Sequence, residues 1–122
     1  MTLKSLPYDL TVCKIEAAQD APLNDPLCFL CKTDEELSLV CLAASVPASA
    51  YAREDGFCAF RVSGALDFGL VGILSRITTA LAARGVPVFA VSTYNTDYLL
   101  IKREYRSAAL NALAEAGFGI EE

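Results

Sequence analysis

The stretch from Phe57 to Gly117 constrains the fold most, because it reads as strand, glycine-containing turn, helix, hairpin and helix in unbroken order. Leu70, Ile73, Leu74, Ile77 and Leu81 recur at helical spacing, with Ser75, Arg76, Thr79 and Arg84 on the other side. That pattern predicts a helix burying one stripe against a sheet. Gly85 and then Pro87 stop it, the first tolerating a left-handed turn and the second unable to continue a helix. A second helix is predicted from roughly Glu104 to Ala116, with Ala109, Leu110, Leu113 and Ala116 on one face and Gly117 as its stop.

Between the helices, Val86 to Thr93 and Asp97 to Lys102 are rich in β-branched and aromatic residues and are separated by Tyr94, Asn95 and Thr96, which predicts a hairpin. Upstream, Cys58, Phe60 and Val62 alternate with Ala59, Arg61 and Ser63, the period of a strand with one buried face. The order βαββα follows, an α+β arrangement with an antiparallel sheet and its helices on one side.

Two polar segments meet at one end of such a unit. The turn Asp67, Phe68, Gly69, Leu70, Val71 and Gly72 precedes the first helix, whose exposed N–H groups and positive dipole end suit a carboxylate. The plainer reading is that Asp67 or Gly69 caps the helix and Gly72 permits close packing. The hairpin supplies Ser92, Thr93, Tyr94, Asn95 and Asp97, in which a carboxylate, hydroxyls and a ring can hold an ammonium group. Again a plainer reading exists, in which Asn95 and Asp97 serve only the turn.

The runs LDFGLVGILSRI from Leu66 and LAARGVPVFAVSTYNTDYLLIK from Leu81 together resemble an ACT domain, most of all the small tandem-ACT proteins related to aspartate kinase regulatory regions and to cytosolic arginine sensors. The segment TDEELSLVC from Thr33, ahead of Val46 and Pro47, resembles the front half of those proteins. The resemblance implies a ferredoxin-like ACT fold and a non-catalytic, allosteric amino-acid sensor. It implies that Val71 and Gly72 touch the main-chain end of an amino acid while Thr93, Tyr94 and Asp97 hold its ammonium or side chain. Ser75 stands where an acidic residue would grip a cationic ligand, so a preference for arginine is not implied. The candidate ligand set is Asp67, Phe68, Gly69, Leu70, Val71, Gly72, Ser92, Thr93, Tyr94 and Asp97.

Phe29, Thr33, Leu39 and Val40 recur sixty positions later as Phe89, Thr93, Leu99 and Leu100, which suggests an internal duplication. The copies are unequal. Pro22 and Pro26 leave little room for a two-turn helix between the opening strand, about Asp9 to Glu16, and Cys28, and the second helix of that copy shrinks to something short around Ala48 to Arg53. Residues 1–56 therefore read as a truncated ACT-like half and residues 57–122 as an ACT domain, packed as one globule. After the last helix only Phe118 to Glu122 remain, so a strand exchanged from the first copy, around Tyr8 to Ile15, is expected to complete the sheet. An incomplete sheet and the family's pairing of ACT units predict a homodimer.

At 122 residues and 54% hydrophobic content the chain can bury a core. Its net charge of -5 provides no cationic stripe for nucleic acid. No apolar run approaches the roughly twenty residues that cross a bilayer, and five cysteines without a framework suit a reducing, cytoplasmic setting. With no histidine and no second CxxC beside Cys28 and Cys31, a metal site is not expected, and all five thiols read as buried and inert. No cofactor is implied. Catalysis is disfavoured because the chain has no histidine, no phosphate-cradling glycine loop and no nucleophile with an identifiable base. The function expected is binding of a free amino acid or similar small polar ligand, with a regulated protein as a further partner. The alternative is an ACT-like structural or protein-interaction module that binds nothing small.

Overall fold

The predicted βαββα order is present. In a computed structural model, which describes residues 1–63 and 72–122, the strands and helices are β1 (Thr2–Lys14), β2 (Cys28–Lys32), β3 (Leu37–Leu42), β4 (Ala52–Val62), α1 (Ile73–Ala82), β5 (Phe89–Ser92), β6 (Asp97–Lys102), α2 (Arg106–Glu115) and β7 (Gly119–Glu121). α1 stops as its sequence predicts: Gly85 takes φ 68°, and the Val86 N–H reaches back to the Leu81 carbonyl at 3.0 Å. That bond, with Pro87 next to it, explains why β5 begins at Phe89 and not at the predicted Val86. α2 ends in the same way, with the Phe118 N–H on the Leu113 carbonyl at 3.0 Å.

The chain divides into two units, one of Met1–Pro7 with Cys58–Glu122 and one of Tyr8–Phe57. β1 and β4 each contribute residues to both. In the larger unit the strand order is β7, β1, β4, β6, β5. Leu3, Cys58, Phe60, Val62, Leu99 and Ile101 face Ile77 and Leu81 of α1 and Ala109 and Leu113 of α2. The alternation of β4 and β6 thus puts one face of each strand against both helices, and the removal of these side chains from water is what holds the layers together. The edge beside β4 is filled by β1, as a strand exchanged from the front of the chain, but by its first residues and not by Tyr8 to Ile15. β7 also forms, pairing in parallel with Thr2, Leu3 and Lys4. The expectation that the C-terminal half lacks a closing strand is therefore corrected, since three residues suffice once β1 offers an edge.

In the smaller unit the order is β2, β3, β1, β4. Cys13, Ile15, Leu39 and Cys41 form its buried cluster. The segment between β1 and β2 holds only a single 3-10 turn, Ala18–Asp20, as the two prolines require. No helix lies at Ala48 to Arg53: the remnant is a 3-10 turn at Ala43–Ser45, and Arg53 already belongs to β4. The sixty-residue repeat extends further than its matching letters. β3 and β6 are offset by sixty positions, as are the 3-10 turns Ala43–Ser45 and Arg103–Tyr105. Phe29 pairs with Val40 as Phe89 pairs with Leu100. Both hairpins close alike, the Thr33 N–H on Glu36 at 2.9 Å and the Thr93 N–H on Thr96 at 2.8 Å.

Candidate functional site

The hairpin between β5 and β6 is fastened to the end of β4. Thr96, which is 7% exposed, donates its hydroxyl to the Val62 carbonyl at 2.7 Å, and the Thr93 hydroxyl donates to the Thr96 carbonyl at 3.1 Å. A short polar loop is thereby held in one shape with little freedom left to lose on binding. Around it lies a cavity of about 470 Å³ lined by Arg61, Val62, Thr93, Tyr94, Asn95, Thr96 and Tyr98, a size suited to a small molecule.

Strand alternation supplies the two side chains on its wall. Cys58, Phe60 and Val62 point toward the helices, so Arg61 points to the other face of β4. Tyr98, one residue before inward-facing Leu99 in β6, likewise lies on the opposite face of the strand, and the Arg61 guanidinium carbon sits 5.9 Å from the centre of its ring. That is within the range of a cation–π contact. Arg61 is the single charged side chain among the described residues lining the cavity. Among the described residues the lining thus combines hydroxyls, an amide, two phenol rings and one guanidinium, groups suited to hold a small polar molecule.

Of the expected ligand set, Thr93 and Tyr94 line the cavity. Ser92 and Asp97 are cross-strand partners, and the Ser92 hydroxyl donates to the Asp97 carboxylate at 2.5 Å. They form the rung next to Val91 and Tyr98 and are not in the lining. Gly72 caps α1 with φ 87°, and its carbonyl accepts the Arg76 N–H at 2.9 Å. No side chain caps α1 among the described residues. Asp67, Phe68, Gly69, Leu70 and Val71 lie outside the described residues. Arg61, Val62, Thr96 and Tyr98 line the cavity but lie outside the expected ligand set. The signal for Arg61 was its place opposite Phe60 and Val62 in the alternation, and for Tyr98 its place two residues from the turn.

The thiols divide by environment. Cys13, Cys41 and Cys58 are buried as expected, whereas Cys28 is half-buried and Cys31 exposed. Cys31 follows the outward run at the end of β2, so its burial is corrected. Burial pushes the Cys41 thiol up to about 12 and also raises Cys13 and Cys28, which keeps these thiols protonated and poor nucleophiles. Among the described residues no group of three or more His, Cys, Asp or Glu side chains could hold a metal ion, and no helix is long and apolar enough to cross a membrane.

No curated protein matches the chain. Among solved structures, it is similar to a protein from Agobacterium tumefaciens, with 27% identity and a TM-score of 0.86 over 98% of this chain and 90% of that one. A Vibrio cholerae protein of unknown function, described as a possible transport protein, is 22% identical, with a TM-score of 0.72 over 94% and 88% of the two chains. The regulatory subunit of aspartate kinase from Thermus thermophilus shares the fold at 9% identity, with a TM-score of 0.65 over 96% and 98%. The family model described as "ACT domain" matches residues 52–115, a span that contains β4, α1, β5, β6 and α2. With that model covering just over half its length, the chain belongs to the ACT domain family.

Proposed function

We propose that this protein is a non-catalytic regulatory module that binds a free amino acid or a similar small polar ligand at the hairpin end of its larger unit. The observation that carries this reading is the cavity of about 470 Å³ beside a hairpin held by Thr93 and Thr96. The likeness in fold to a regulatory subunit of aspartate kinase supports a regulatory role. The sixty-residue repeat supports reading residues 57–122 as an ACT domain and residues 1–56 as its truncated copy. A second copy of the chain and a regulated protein are the partners such a module uses, since a binding event must be transmitted to something else. Asp97 and Gly72 remain candidates for the ammonium and main-chain ends of the ligand.

Thermal unfolding in the presence of each common amino acid at millimolar concentration tests the reading. A ligand at about one hundred times its dissociation constant adds about 2.7 kcal/mol if it binds only the native state, which raises the melting temperature by several degrees in a domain of this size. One or a few amino acids should do so. A flat result across the panel rejects the sensor and favours an interaction module. Sedimentation at micromolar concentration tests the dimer separately, and a monomer at every concentration rejects it.

A further inference from the structure

Resting on that reading of the cavity, we infer that its ligand is a small molecule of net negative charge whose carboxylate pairs with Arg61, as in an acidic amino acid or a simple dicarboxylate. The chain as a whole is acidic, with a net charge of -5, yet the one charged residue among the described residues lining the cavity is a cation. A cation facing such a cavity favours anionic ligands there and disfavours cationic ones.

The contact between Arg61 and Tyr98 strengthens this point. A guanidinium over a ring uses its flat face for the aromatic contact and keeps its in-plane N–H donors at the rim, where they match the two oxygens of a carboxylate. At 5.9 Å from the ring centre the Arg61 guanidinium is within cation–π range of Tyr98, a contact that does not consume its N–H donors. Among the described residues no carboxylate is paired with Arg61, whereas Lys4, Arg53, Arg84 and Arg106 each have one. The hydroxyl of Thr93 and the amide of Asn95, at the same wall, offer hydrogen bonds to the remainder of the ligand. Among the described residues lining the cavity, a ligand of net positive charge finds no carboxylate to offset it.

Titration calorimetry of the full chain with L-glutamate, succinate, L-alanine and L-lysine at low and high salt tests the inference. Glutamate and succinate should bind more tightly than alanine and lysine, and their affinity should fall as salt rises. Arg61→Gln should weaken glutamate and succinate by about 10- to 100-fold, the loss of a charge-assisted bond, while Arg61→Lys should fall between because it keeps the charge without the fork. Binding of lysine or alanine as tight as that of glutamate, or unchanged glutamate affinity in a folded Arg61→Gln, overturns the anion assignment and leaves the site reading standing. Silence of the wild type toward all four compounds and toward every other amino acid overturns both. If Arg61→Gln does not fold, the charge series on the wild type decides the question by itself.

Discussion

The hydroxyl of Thr96 donates a 2.7 Å hydrogen bond to the carbonyl of Val62, across 34 positions of sequence. This contact ties the loop of the hairpin to the end of β4, and it does so where water is excluded. Thr96→Val keeps the shape and removes the donor, which leaves a buried carbonyl without that partner at a cost of about 1 to 3 kcal/mol. Thr96→Ser should recover most of the loss. Urea unfolding checks this, since the midpoint should drop in the valine variant with an unchanged slope. Equal midpoints for wild type and valine variant would mean that the hairpin does not depend on the bond.

Gly72 begins α1 with φ 87° and ψ 0°, a left-handed conformation that places a Cβ too close to the following carbonyl. No described atom lies within 4 Å of a Cβ built there, so the penalty is conformational and not one of crowding. Gly72→Ala should destabilise the protein by about 1 to 2 kcal/mol. A variant as stable as the wild type in chemical denaturation would show that the helix can start from another backbone geometry.

The hairpin was legible in the sequence because turn residues interrupt two runs of strand formers, and β6 falls on the predicted residues Asp97 to Lys102. The helices were legible from their spacing and their glycine stops. β1 was not, over its first half, because Leu3 and Leu6 are buried three positions apart, without a two-residue period, and Pro7 interrupts the run. β7 carries no signal of its own. Gly119, Ile120 and Glu121 form a strand only because Thr2 to Lys4 present an edge. The site shows the same division. Thr93 and Tyr94 could be picked out as polar hairpin residues, whereas a lone arginine on a strand reads as a solvated face until β4 and β6 are set side by side and Tyr98 comes beneath it.

Leu99 is fully buried at the centre of the larger unit, in the cluster formed with Ile77, Leu81 and Leu113. Leu99→Ala removes three carbons that face both helices, and the cavity left between sheet and helix layers cannot collapse freely. The expected loss is about 2 to 5 kcal/mol. Chemical denaturation measures it directly, and a loss below about 1 kcal/mol would mean that the helices repack onto the smaller side chain.

The five thiols should separate in reactivity and in their effect on stability. At neutral pH a disulfide reagent should modify exposed Cys31 first and half-buried Cys28 more slowly, with Cys13, Cys41 and Cys58 reacting only on unfolding. Burial is the main reason that the Cys41 thiol is pushed from an ordinary value of 9.0 up to about 12, with the neighbouring Cys13 and Cys28 adding to it. A group whose folded value is raised binds its proton more tightly in the native state, so its contribution to stability is complete below about pH 9 and is lost progressively as the pH rises toward 12. Lysine and tyrosine side chains titrate over the same range, so the informative quantity is the difference between wild type and Cys41→Ala. The alanine variant should be the less stable of the two at pH 8, because of its cavity, and the gap should narrow by pH 10.5 as unfolding of the wild type begins to release the Cys41 proton. A gap that stays constant across that interval would show that Cys41 ionises as readily in the folded chain as in the unfolded one.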